Sequence, residues 1–387
     1  MEIDRYKDFF RDHLTDLLYR WLEAAADEDG FFHPVLDRTW QRHGRPLASL
    51  VSQSRLIFNC AAGFRLTGDD RFREAAARGA GFLIEHFLDQ EYGGWYQTVT
   101  DEGHPVDTAK DSYGHAFAVF ALAHAYGLTG NGLHLEWAHS TLDMLRTHFA
   151  DSEGGFCRYL NQDFSPRDTS RSQNPLMHLF EALLILDQVD PEGPAHEAAR
   201  GIGDFVLFGL MDQEKGFLPE VYDDIWQPLP ESKDGRIDIG HQFEWAFLSS
   251  EAVGQGFPET YVSQGTRLLE YGLSHGRDSQ TGAIFSPADY EGSLRHARTG
   301  WWEQCEAIRA LHRYQERHDR TDLTEARDQL ITFVKKHCID PEHGGWYSAI
   351  KADGAPAHTD KGSIWKVDYH VTGMAMELIG EEGIAKA

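Results

Sequence analysis

Two pairs of side chains are spaced for moving protons. His178 precedes Glu181 by three residues, and His241 precedes Glu244 by the same interval. Both pairs sit in otherwise apolar runs, Asn174-Pro175-Leu176-Met177-His178-Leu179-Phe180-Glu181 and Gly240-His241-Gln242-Phe243-Glu244-Trp245. On a helix this interval stacks two groups on one face. A carboxylate beside an imidazole orients the ring and raises its pKa, which suits proton transfer near neutrality. Asn174, four residues before His178, falls on the same face, and Pro175 marks a helix start.

Other polar groups share the property of sitting in apolar or aromatic company, where each must find a partner or face a polar cavity. Arg55 follows Ser52-Gln53-Ser54 within the apolar stretch 47–66. His370 ends the segment Lys361-Gly362-Ser363-Ile364-Trp365-Lys366-Val367-Asp368-Tyr369-His370, which leads into a final helix. Trp301 and Trp302 precede Glu303 and Glu306; indole faces stack on sugar C–H faces, and paired indoles also fill cores. Each cluster has a structural reading beside the chemical one: a salt bridge for Arg55, a capping Asn with a satisfied core histidine at Asn174 and His178, and a buried ion pair at His241.

The two H-x-x-E pairs are half-motifs of carboxylate–histidine metal sites. No H-E-x-x-H occurs, and the four-helix frame of di-iron sites conflicts with the longer repeat in this chain. No metal and no other cofactor is expected. Cys60, Cys157, Cys305 and Cys338 form no C-x-x-C pair and read as free thiols. The formal charge of −26 repels nucleic acid and anionic membranes. No run approaches about 20 apolar residues, and the N-terminus Met1-Glu2-Ile3-Asp4-Arg5 lacks the basic and apolar regions of a secretory signal. The expectation is a cytoplasmic protein with a small-molecule partner.

What must position these groups is a repeat. A turn signature recurs at Asp29-Gly30-Phe31, Gly93-Gly94-Trp95-Tyr96, Gly154-Gly155-Phe156, Lys215-Gly216-Phe217, Gly282-Ala283-Ile284-Phe285 and Gly344-Gly345-Trp346-Tyr347, in steps of 61 to 66 residues. An acid precedes most of them: Asp89, Asp151, Asp212, Asp278, Asp340. Between turns lie two stretches of helical periodicity, such as 49–66 with 71–87, 113–127 with 133–149, and 175–187 with 195–209. Six pairs make about twelve helices. Closed into a ring they form an all-α (α/α)6 barrel with short hairpins at one mouth; the other outcome is an irregular helical bundle. No linker or composition break divides the chain, which reads as one domain, 1–387.

In this order along the chain, the clusters resemble the N-acylglucosamine 2-epimerase superfamily. The matching elements are Gln53-Ser54-Arg55, Lys110-Asp111-Ser112-Tyr113, Asn174-Pro175-Leu176-Met177-His178, Gly240 to Trp245, Trp301-Trp302 with Glu306, and Trp365-Lys366 with Tyr369-His370. The fourth and last are most similar to the mannose isomerase branch. One position departs from the epimerases: three residues after His370, where many of them carry Arg, stands Gly373. The resemblance implies acid/base chemistry on a monosaccharide through a cis-enediolate, in a monomer or homodimer. His370 would shuttle the proton between C2 and C1. His241, oriented by Glu244, would open the ring, and Arg55 would stabilise the enediolate oxygen. Asn174, His178, Tyr113, Trp302, Glu306 and Lys366 would bind the sugar. The expected reaction interconverts D-mannose and D-fructose, and by extension D-lyxose and D-xylulose. A 2-epimerase would use the same histidines. An inverting glycoside hydrolase would use Glu244 and Glu306, a non-catalytic helical-repeat binder would need neither, and a terpene-cyclase-type barrel would need a D-D-x-x-D motif that is not evident.

Overall fold

A computed structural model describes residues 4–167, 170–295, 299–351 and 353–381. Twelve α-helices occur among them: α1 (Asp4–Ala25), α2 (Leu50–Thr67), α3 (Asp70–Phe82), α4 (Ser112–Thr129), α5 (Gly132–Met144), α6 (Gln173–Val189), α7 (Ala195–Asp204), α8 (Ile239–Gly254), α9 (Thr260–Gly276), α10 (Trp301–Arg317), α11 (Thr324–Phe333) and α12 (Tyr369–Ile379). None is long and apolar enough to cross a membrane. By internal contacts the chain resolves into two compact units of interleaved segments. One comprises Met1–Phe10, Gly203–Thr359 and Gly373–Gly380; the other comprises Arg11–Ile202, Asp360–Thr372 and Glu381–Ala387.

In the second unit α2 packs on α3 and α4, and α4 on α5 and α6; in the first, α8 packs on α9 and α10, and α10 on α11. Helices α2, α4, α6 and α8 are buried along nearly their whole length, as helices apolar on every side must be. Their neighbours α3 and α9 bury one face. The N-termini are capped locally: Ser49 closes a capping box with Ser52 at α2, Asp111 accepts from Tyr113 N at α4, and Ser172 accepts from Asn174 N at α6. Asn174 is therefore inside its helix, and Ser172 is the cap. Several pairs end differently from the sequence expectation. The last turn of the second helix widens to π geometry at Leu83–Phe87, Leu145–Phe149, Phe205–Leu210 and Val334–Cys338.

The repeated turn follows from its acid. Asp89 Oδ1 accepts from the amides of Glu91 and Tyr92, and the carboxylates of Asp151, Asp212, Asp278 and Asp340 accept likewise from amides two to four residues on. Two glycines then reverse the chain at φ +79° and +68° (Gly93, Gly94), so that Asp89 N reaches Gly94 O and Tyr96 N reaches Phe87 O.

A polar residue in the first turn of each of four buried helices grips this turn. Gln53 Oε1 accepts from Phe32 N at 3.2 Å, His115 Nε2 from Trp95 N at 3.1 Å, Gln242 Oε1 from Leu218 N at 2.9 Å, and Gln304 Oε1 from Ile284 N at 2.8 Å. Each satisfies backbone groups that would otherwise be buried unpaired. These clamps set a register. Two residues beyond them stand Arg55, Phe117, Glu244 and Glu306; two before, on the same face, stand Val51, Tyr113, Gly240 and Trp302.

Candidate active site

Arg55, in the unit containing α2, α4 and α6, is 5% exposed. Its Nη2 donates to the Tyr113 hydroxyl and its Nη1 to the Trp365 carbonyl, each at 2.9 Å. The guanidinium lies over the rings of Phe117 (4.4 Å) and Tyr369 (4.8 Å). Neutral acceptors and π faces hold the cation; it has no carboxylate partner among the described residues. A buried positive charge left uncompensated by protein is a place for an oxyanion.

His178 packs its ring on Tyr113 (5.1 Å) and Phe117 (4.7 Å) and meets Glu181 at 3.4 Å through Nδ1. Burial pushes its pKa down to about 4, aided by Arg55 and His370 and only partly offset by Glu181. At neutral pH it is an uncharged hydrogen-bonding group. Glu181 also accepts from the Tyr369 hydroxyl, which fixes the residue beside His370. His370 is the second residue of α12, 7% exposed, with its ring against Tyr369. The Asn174 Oδ1 is buried with no protein partner among the described residues.

Lys366, expected to bind sugar, has another task. Its ammonium is buried and donates to Asp368 Oδ1 and to the Lys361 carbonyl, both at 2.7 Å. Trp21 Nε1 donates to the other Asp368 oxygen at 3.0 Å, while Asn59 and Ser49 of the α2 segment bind the carbonyls of Val367 and Ile364. Lys366 is a lock for the loop that delivers His370.

In the other unit, His241 on α8 meets a residue that helical spacing does not select. Its Nδ1 lies 2.7 Å from an oxygen of Glu220, which immediately precedes the short strand Val221–Tyr222. The expected orienter, Glu244, adds an attraction of charge. Nothing in the spacing of Glu220 points to His241, since a loop joins them through tertiary structure alone. Burial pulls the His241 pKa down, but Glu220, Asp238 and Glu244 together outweigh it and raise it to about 10. At neutral pH this imidazole is a cation and a proton donor. The same desolvation, opposed by the positive His241, raises the pKa of Asp238, whose Oδ1 accepts from Ser286.

Trp302 lies against the His241 ring, centroids 4.9 Å apart at 40°. Gly240 makes this possible: a Cβ there would lie 2.4 Å from the indole. Glu306 is fully buried, with Arg309 Nη1 at 3.6 Å and the Arg309 guanidinium over Phe247 at 3.7 Å. A Cβ at Gly373 would meet that guanidinium at 3.4 Å, so Arg309 lies against this position. A cavity of about 410 Å³ in this unit is lined by Asp238, Ser286, Gly300, Trp302, Glu303 and His358, among others. Glu220, Asp238 and His241 also place one ligand atom each within 4.8 Å of one another. A divalent ion there would have to displace the proton between His241 and Glu220.

The N-acylglucosamine 2-epimerase (GlcNAc 2-epimerase) family pattern matches residues 30–374. The chain is 26% identical to a cellobiose 2-epimerase of Bacteroides fragilis, over 95% of this chain and 96% of that one. It is 24% identical to a D-mannose isomerase of Marinomonas mediterranea, over 96% and 97%. A solved structure of a D-mannose isomerase superposes with a TM-score of 0.90 at 23% identity, covering 97% of this chain and 98% of the other. That likeness gives the fold class, the all-α (α/α)6 barrel expected from the six turns. The chain belongs to the N-acylglucosamine 2-epimerase family.

Proposed function

We propose that the protein is a cofactor-independent aldose–ketose isomerase that interconverts unphosphorylated D-mannose and D-fructose, and accepts D-lyxose. The observation that carries this reading is the buried His241 beside Glu220 and Asp238, an imidazolium at neutral pH. Such a group is an acid able to protonate the ring oxygen while the anomeric hydroxyl loses its proton. In the open-chain sugar a base takes the C2 proton, giving a cis-enediolate; that proton is returned to C1 as the O2 proton passes to O1, and the ketose results. His370 is assigned the C2-to-C1 transfer. Arg55 is assigned the enediolate oxygen, a charge that its environment leaves unmatched. Asn174, neutral His178 and Tyr113 bind hydroxyls, Trp302 offers a ring face, and Glu244 and Glu306 supply negative charge on the helices α8 and α10 that carry His241 and Trp302.

One observation favours a second reading. The 410 Å³ cavity beside Trp302 has room for a further sugar ring, which suits a 2-epimerase acting on a disaccharide. An inverting hydrolase gains no such support, since His241 and His370 would then have no part in the reaction.

The test is incubation with D-mannose in the presence of EDTA, with early products resolved by chromatography. Fructose as the first product supports the isomerase. Glucose first, or conversion of cellobiose but not mannose, moves the assignment to a 2-epimerase. His370→Ala and His241→Ala should each abolish turnover; near-wild-type turnover in either removes that residue from the mechanism.

A further inference from the structure

Glu220 is a carboxylate 3% exposed, on a segment that the helical pattern does not include. Its backbone amide is tied to the Arg236 carbonyl at 2.9 Å, which fixes the side chain over α8. Its oxygen meets His241 Nδ1 at 2.7 Å, within the range of a charge-assisted hydrogen bond. A buried pair of this kind adds little net stability, because desolvating both groups costs about as much as their attraction returns. Its value lies in geometry. The imidazole has two nitrogens, and the partner of one decides what the other does.

We propose that Glu220 is a positioning residue for His241: it engages Nδ1–H, fixes the ring plane against Trp302, and leaves proton exchange with the sugar to Nε2. This rests on the reading of His241 as a proton-transfer group. The groups acting on the ring are Glu220 from the segment before Val221–Tyr222, Asp238 at the N-cap of α8, Glu244 on α8, and Trp302 on α10. Glu220 lies at hydrogen-bond distance from Nδ1, and Asp238 and Glu244 add attraction through charge. When His241 gives its Nε2 proton to the ring oxygen, the neutral tautomer left behind keeps Nδ1–H on Glu220. The ring then recovers a proton at Nε2 without turning over.

The test uses Glu220→Gln and Glu220→Asp beside His241→Asn. Protein labelled with nitrogen-15 histidine gives the His241 ring signals, identified by their absence in H241N. In the wild type at pH 8 both nitrogens should carry protons; in E220Q the ring should titrate at lower pH and sample both neutral tautomers. Turnover should fall about 10–100-fold in kcat in E220Q, with KM changed much less, and E220D should recover part of it. Unchanged His241 signals and kcat in E220Q, with H241N inactive, would overturn the proposal alone. Full turnover in H241N would overturn both the proposal and the reading beneath it.

Discussion

Gly240→Ala isolates the contact between Trp302 and His241. Gly240 lies in the first turn of α8 in ordinary helical conformation, so alanine there meets no backbone strain and should gain about 1 kcal/mol of helix propensity. Its Cβ, however, would stand 2.4 and 2.6 Å from two atoms of the Trp302 indole and 2.9 Å from Glu303 Cγ. Ordinary contact starts near 3.4 Å, so the indole must retreat by about 1 Å. Overpacking of this size costs about 1–3 kcal/mol, leaving a net loss of about 0–2 kcal/mol. For a chain of 387 residues that lowers the melting temperature by about 3 °C at most. Turnover should respond far more, because a displacement of about 1 Å at a reacting group can cost on the order of 100-fold. The assay pairs thermal melting with steady-state kinetics on the substrate that the product analysis identifies. A G240A variant with a raised melting temperature and kcat within about 2-fold of wild type would mean that the contact between Trp302 and His241 has no consequence for turnover.

Other outcomes follow from the same geometry. Gln242→Leu leaves the Leu218 amide and carbonyl buried without the partners they have at 2.9 and 3.0 Å; it should cost about 2–4 kcal/mol of stability, and a loss under 0.5 kcal/mol in chemical denaturation would contradict the clamp. Arg55→Met should lower kcat on the order of 100-fold or more while the protein stays folded; an effect on KM alone would assign Arg55 to ground-state binding. The pKa of His241 is raised on folding from its ordinary 6.5 to about 10. Its contribution to stability is full below pH 6.5 and is lost as pH rises through 10. The melting-temperature gap between wild type and His241→Gln should therefore shrink across that window, and a constant gap would show that the ring is not charged. At the acid end, His115, His124 and His178 are held near 3, 3 and 4 by burial. The unfolded chain takes up protons that these rings refuse, so stability should fall as pH drops from 6.5 towards 4.

The fold was legible because its turn is written in residues with few substitutes. The acid, the paired glycines and the aromatic that follows recur at a fixed step, and each has one backbone job. A further mark was available in the sequence. His86, His148, His275 and His337 each stand three residues before a repeat acid. The structure gives them packing roles against a second hairpin of the repeat, as in the stacking of His148 on Phe164 at 4.0 Å and the bond from His337 to the Gly354 carbonyl. Part of the histidine richness is therefore architecture. The candidate site was legible where it lies on helices, since Arg55, Tyr113, Glu244, Trp302 and Glu306 follow the register set by the clamping residues. It was illegible where a loop supplies the partner. Glu220 reaches His241 through tertiary structure, and Lys366 turns inward because Asp368, two residues on, adopts φ +56° and offers it a carboxylate. Spacing rules describe neighbours along a helix, and neither of these pairs is one.

Under the proposed function, protons moved by side chains isomerise a free sugar. The most direct measurement follows D-mannose with the purified protein in deuterium oxide and EDTA by NMR. Early D-fructose should carry solvent deuterium at C1 in part of the molecules, because the proton taken from C2 is held on an imidazole where a solvent deuteron can replace it before delivery to C1. Fructose formed with no solvent deuterium at C1 at any stage is the result expected of direct hydride transfer from C2 to C1, and it would remove His370 from its assigned role.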